Sequence, residues 1–162
     1  MADLEIRPEP YDGSASAELI EELQGEYVDR YGGLDITLVH PAEFAPPEGG
    51  FLVAYLDGAA VGCGGFRRLE RGVAEIKRMY VRPAWRRRGL ARHLLNGIEG
   101  ALATAGYREV RLMTGAAQPE AIRLYETCGY GLTATGYGVY RCEPGARFFA
   151  KRLEDRAEAK PS

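Results

Sequence analysis

Apolar and polar positions change period in the middle of the chain. From Ala74 to Val81 side-chain character alternates, and Ile76, Met79, Tyr80 and Val81 give it the look of a half-buried strand. Pro83 removes a backbone donor and closes that strand. From Gly89 the period becomes helical: Ala91, Leu94, Leu95, Ile98 and Leu102 form one apolar stripe. Between the two lies Arg86-Arg87-Arg88-Gly89-Leu90-Ala91, so a strand–turn–helix is predicted with three cations at the turn.

The flanks follow the same logic. Leu4 to Pro8 reads as a first strand. A helix follows, capped by Ser14 or Ser16, with Leu19, Ile20, Leu23 and Tyr27 on one face and Gly32-Gly33 as its stop. Turn formers fill Leu34 to Gly50, with a short helix near Ala42; so long a connection suits a binding loop. Phe51–Leu56 and Ala60–Leu69 are strands joined at Asp57-Gly58, and Arg71-Gly72 turns into the central strand. Gly106 ends the central helix, and Tyr107–Thr114 is a strand. Gln118-Pro119 opens a helix that runs to Cys128 and stops at Gly129. Tyr130–Tyr140 and Arg147–Leu153 are the last strands. The order predicts an α/β (α+β mixed) domain over residues 1–153, with a mixed sheet and helices on both faces. The charged tail 154–162 is expected to be disordered.

Composition narrows the field. With 162 residues, 46% hydrophobic and 27% charged, the chain reads as one soluble globular domain. No apolar run reaches membrane-spanning length, and the start is too acidic for a signal peptide. Three cysteines and two histidines, without paired spacing, argue against a disulfide framework and a metal site, and point to the cytoplasm. The net charge of −2 conceals an uneven distribution: residues 1–50 balance to −10 and residues 51–162 to +8. A basic centre suits a polyanionic ligand and an acidic N-terminal part suits a cationic amine, although two oppositely charged surfaces could simply pack together.

The turn carries the first chemistry. A helix N-terminus presents unpaired N–H groups and partial positive charge, Gly89 permits close approach, and arginines add charge-assisted hydrogen bonds. The physical reading is a phosphate or pyrophosphate cradle. A nucleic-acid patch is the weaker reading, because no aromatic platform accompanies the arginines.

Arg86-x-x-Gly89-x-Ala91, opening a helix after a strand, resembles the acetyl-CoA signature of the GNAT superfamily of N-acetyltransferases, with Ala91 where glycine is commoner. Leu124-Tyr125-Glu126-Thr127-Cys128-Gly129-Tyr130 resembles a second motif of that family. The resemblance spans nearly the whole chain and implies the GNAT fold, a mostly antiparallel mixed sheet. It implies that amides from Arg87 through Arg88, Gly89, Leu90 and Ala91 hold the pyrophosphate while Arg86 closes the turn. It also implies that Met79, Tyr80 and Val81 form the stretch along which pantetheine lies. Tyr125 would protonate the leaving thiolate. Glu75 would be the general base, or a strand glutamate paired with a neighbouring arginine; both readings stand. Gln118-Pro119 departs from the asparagine many relatives carry there.

Tyr31, Asp35, Tyr137 and Tyr140 come from segments that wall the acceptor side in relatives. His93 is expected to pack rather than catalyse, and Cys63 and Cys128 lack a histidine partner. The implied activity is acetyl transfer from acetyl-CoA to a primary amine, small-molecule or peptide, by direct attack in a ternary complex. Neither metal, nucleic acid nor membrane is expected to take part. The alternative is a non-catalytic CoA-binding regulatory module. Pairing of two chains into a homodimer through the C-terminal edge strand is left open.

Overall fold

The computed structural model describes residues 3–153, and the tail for which disorder was expected lies outside the described residues. Among the described residues, seven strands form one sheet in the order β1-β2-β3-β4-β5-β7-β6. Strands β1 (Leu4–Pro8), β2 (Gly50–Leu56), β3 (Ala59–Glu70) and β4 (Val73–Val81) make an antiparallel run. Its tight turn at Asp57-Gly58 holds both residues at positive φ, the backbone that joins strands without splaying them. Helix α2 (Leu90–Thr104) crosses over to β5 (Glu109–Gly115), which lies parallel to β4. Helix α3 (Pro119–Thr127) follows, then the short β6 (Gly131–Leu132) and β7 (Ala146–Arg152), which returns antiparallel to β5.

The sheet buries apolar side chains on both faces, as the alternation along its strands requires. On one face α2 and α3 pack through Leu94, Leu95, Ile98, Leu102 and Tyr125 against Leu52, Val61, Ile76 and Leu112. On the other, α1 (Ser14–Tyr31) and a 3-10 turn at Pro41–Phe44 pack through Leu19, Leu23 and Phe44 against Phe51, Val53, Cys63 and Tyr80. The helical stripe read in α2 and the Leu19/Leu23 face of α1 both point at the sheet.

The function depends on where the sheet stops being continuous. β4 and β5 pair only from Val73 opposite Glu109 to Ile76 opposite Leu112. Directly after that, β4 carries an extra residue against β3: three steps from Lys77 to Tyr80 face two from Gly65 to Cys63. Such a bulge bends its strand and raises the local twist, so β4 swings away from β5. The Arg82 amide bonds the Val61 carbonyl across to β3. By antiparallel alternation the main-chain groups of Val81 therefore face the opening rather than β3.

Two expectations fail in instructive ways. The strand read over Tyr130–Tyr140 is only two residues long, Gly131–Leu132; Gly136 and Gly138 lie beyond it, and Gly138 takes a positive φ. The rest is a looped connection. Nor does a serine cap α1. Gly13 is the N-cap, and the Pro10 carbonyl, bonded by the Gly13 amide at 3.0 Å, starts the helix early. Ser16 is thereby carried inside, fully buried, its hydroxyl unbonded among the described residues. Since a buried unpaired hydroxyl costs free energy, Ser16→Ala should leave stability unchanged or raise it by about 0.5–1 kcal/mol in urea unfolding. A loss of about 1 kcal/mol, as for a lost cap, would contradict this account.

Candidate active site

The bulge sets the floor of the site. Glu75 and Lys77 share a strand face by the period of two, and the extra residue, with Arg78 at φ 64°, turns the next side chain to that face as well. The Cys63 thiol donates to the Arg78 carbonyl at 3.3 Å and holds the bend. Three ionisable groups in succession are thus buried beneath α1. Lys77 Nζ and Arg78 Nη1 both donate to Asp35 Oδ2, at 3.1 and 2.6 Å, while the Thr37 amide donates to Asp35 Oδ1 at 2.9 Å. Burial works against ionisation of Asp35, but Lys77, the Thr37 amide and Arg78 outweigh it and hold the carboxyl well below the usual range. Arg78 Nε reaches the Tyr11 hydroxyl at 3.2 Å. Glu75 Oε1 accepts from Arg67 Nε at 3.0 Å, and Arg67 Nη1 also reaches the Leu38 carbonyl and Glu43.

Above this floor the parted strands enclose a cleft of about 350 Å³. Asp35, Glu75, Lys77, Arg78 and Tyr140 line it, with Tyr27 and Tyr31 from α1 overhead. Tyr31 spans the gap and donates to Gln118 Oε1 at 3.0 Å. A Cβ on Gly115 would collide with that hydroxyl, so a side chain there would require Tyr31 to move aside. Tyr140 accepts the Ile36 amide at 2.9 Å. Tyr137 packs edge-on to Phe148, 5.1 Å between centroids, and its buried hydroxyl, beside Glu75, has no well-formed hydrogen bond among the described residues. Burial, then the neighbouring Glu75 carboxylate, pushes that phenol up.

Tyr125 enters from the opposite layer. It is buried on α3 against Tyr130 and Phe149, and its hydroxyl makes no hydrogen bond among the described residues. Burial, then Cys128, pushes its phenol up, so it stays protonated at neutral pH. Burial also raises Tyr27, whose phenol is electrostatically coupled to Arg78, Asp35 and Tyr125. Tyr125 itself does not line the cleft; it sits in the apolar layer on the α2 and α3 side of the sheet.

Next to the gap lies the turn before α2. Arg86 Nε donates to the Val81 carbonyl and its Nη2 to Glu26, both at 2.7 Å, so this side chain closes the turn against α1. Arg87 and Arg88 are exposed and pair with no acid among the described residues. The amides of residues 87–92 make no hydrogen bond among the described residues, and Gly89, at φ 77°, caps the helix without a side-chain bond. Six adjacent uncommitted donors beside two free guanidinium groups fit a multiply charged anion such as a pyrophosphate.

The model of the acetyltransferase (GNAT) family matches residues 16–130. The chain belongs to the GNAT acetyltransferase family. It is accordingly an acyltransferase with the GNAT fold. An IAA acetyltransferase of Azospirillum brasilense is 36% identical over 140 residues, covering 86% of this chain and 91% of that one. A candidate acyl-CoA N-acyltransferase of Klebsiella pneumoniae superposes with a TM-score of 0.78 at 27% identity, over 93% of this chain and 98% of that one. A GNAT family acetyltransferase of Elizabethkingia anophelis, solved with acetyl-CoA bound, shares the fold at a TM-score of 0.66 and 15% identity, over 93% and 98% of the two chains.

Within this GNAT site, the residues singled out from sequence divide into groups. Glu75, Asp35, Tyr31 and Tyr140 meet in the cleft, and Tyr137 adjoins Glu75. Arg86 to Ala91 form the turn. The ring of Tyr80 lies under α1 instead, its hydroxyl donating to Glu22 at 3.1 Å, and burial pushes that phenol up to about 12. Met79 packs partly buried on the α2 side. His93 is exposed rather than packed. Sequence reasoning missed Lys77, Arg78 and Tyr27 as site residues. Two consecutive charges inside an apolar strand were the available sign of a bulge.

Because the Asp35 carboxyl is held low, its pairing stabilises the fold fully above the unfolded carboxylate pKa of about 4 and is lost as pH falls below it. Asp35→Asn should cost about 3 kcal/mol near pH 7, and the gap to wild type should narrow in acid. A gap constant from pH 7 to pH 3 in urea unfolding would show that Asp35 is not the ionised partner.

Proposed function

We propose that this enzyme moves the acetyl group of acetyl-CoA to a primary amine by direct attack in a ternary complex. The observation that carries the reading is the run of uncommitted amides at residues 87–92, flanked by Arg87 and Arg88 and opening onto the parted strands. Those donors suit the pyrophosphate of CoA. The main chain of β4 near Met79 and Val81 that faces away from β3 suits strand-like bonding to the pantetheine arm, although the Val81 carbonyl is already held by Arg86. That path leads the thioester towards Tyr125 and the cleft.

The amine, mostly protonated at neutral pH, must lose a proton before it attacks. Glu75 lines the cleft and takes that proton directly or through water; Arg67 holds its carboxylate in position. The nitrogen–carbon bond forms as the carbon–sulfur bond breaks, and Tyr125, a protonated phenol with no competing acceptor, gives its proton to the departing sulfur. Roles for Tyr31, Tyr137 and Tyr140 in seating the acceptor follow from their positions around Glu75 and the cleft mouth.

Calorimetric titration with acetyl-CoA should give binding in the wild type and none in Gly89→Glu, whose side chain would add a negative charge at the turn and strain a residue at φ 77°. Absence of binding by the wild type would overturn the reading. Tyr125→Phe should lower kcat by roughly 10²–10⁴ while sparing acetyl-CoA affinity, and Glu75→Gln should flatten the acidic limb of the pH–rate profile. An unchanged kcat removes Tyr125 from the chemistry, and a persisting limb places the base elsewhere.

A further inference from the structure

The two cations of the cleft stand side by side and share one carboxylate oxygen. Lys77 and Arg78 bring two buried cations to the floor, and the carboxylate bonded to both is Asp35, while the buried Glu75 is bonded to Arg67. Of the three ammonium donors on Lys77, one goes to Asp35; of the five guanidinium donors on Arg78, two are engaged, by Asp35 and Tyr11. The others have no acceptor among the described residues. Asp35 can offer little more, since Oδ2 serves both cations and Oδ1 takes the Thr37 amide. Glu75, the next acid along the floor, is committed to Arg67. An anion entering the cleft beside Asp35 would find open donors from both Lys77 and Arg78, and charge-assisted bonds of this kind are the strong ones. Glu143, an exposed acid, also lines the cleft.

We infer that the acceptor is an amino acid: an amine bearing a carboxylate, which Lys77 and Arg78 bind while the amine faces Glu75. This rests on the acetyl-transfer reading and adds the acceptor class to it. Asp35 is then not the group that draws in a cationic amine. It is the partial counter-ion that holds two cations together until the acceptor's carboxylate completes the set. Leu34 and Met113, also in the lining, leave an apolar flank for the acceptor's side chain.

The test follows CoA release from acetyl-CoA with each L-amino acid beside its own carboxamide, and with alkylamines and polyamines. Acetyl-CoA affinity is measured separately by calorimetry for every variant, which also reports folding. At least one amino acid should exceed its carboxamide in kcat/KM by roughly tenfold or more, the worth of one charge-assisted hydrogen bond. Lys77→Met should erase most of that preference, through KM, with acetyl-CoA affinity kept; Lys77→Gln serves if the methionine variant fails to bind acetyl-CoA. Carboxamides or simple amines used as well as the acids would overturn the inference and leave acetyl transfer standing. So would silence of every amino acid in a protein that binds acetyl-CoA. Failure to bind acetyl-CoA would strike the acetyl-transfer reading itself.

Discussion

The rest of this structure depends on two parallel strands that cannot stay together. β4 and β5 are locked side by side for four residues, and then one additional residue in β4 bends it out of register. A continuous sheet would have paired the main chain of Val81 with a neighbour and sealed the space between the helical layers. The bulge opens that space and re-aims Arg78 into it. One backbone irregularity thus supplies an unpaired strand edge, a cleft and a charged floor. None of them needs a separate loop.

What holds the opening in shape is electrostatic more than apolar. Arg86 pairs with Glu26, Glu26 with Arg30, and Arg30 with Glu120, so a chain of alternating charges runs from the turn before α2, through α1, to the start of α3. Arg82 adds bonds to Glu18 and Glu22 from the same helix. The acidic first third of the chain and its basic centre are therefore complementary across this seam. The packing of opposite surfaces, allowed for in the charge distribution, is a large part of what that distribution does. Pairs of this kind are individually weak where exposed, and their value here is geometric: they fix α1 across a gap that no hydrogen-bonded ladder bridges.

Most of the framework was legible in the sequence because it rests on local signals. The alternation of Ala74–Val81, the stripe on α2, the Asp57-Gly58 turn and the Pro119 helix start each need only neighbouring residues to be read. The turn at Arg86–Ala91 was legible for the same reason. What escaped required knowledge of partners distant in sequence. Asp35 could be marked as a cleft acid, but its neutralisation by Lys77 and Arg78 depends on a contact some forty residues away and on a bulge that inverts a side chain. Ser16 looked like a cap since nothing local showed that Pro10 and Gly13 would begin the helix first. The false strand at Tyr130–Tyr140 had the right residue types, and only its glycines and its pairing decide how much of it joins the sheet.

The contact between Tyr31 and Gly115 couples two parts of the molecule that share no sequence neighbourhood. The tyrosine hydroxyl occupies the volume a side chain at 115 would need, so the two positions cannot both be large. Any variant that places even a methyl group on the end of β5 must give up the tyrosine bridge, and with it the tie to Gln118. The ceiling of the cleft would then shift, leaving Arg30, through Ala117 and Glu120, as the remaining tie between α1 and the start of α3. The height of the acceptor chamber is in this sense a property of a pair of residues on opposite walls, and drift at one is steered by the other.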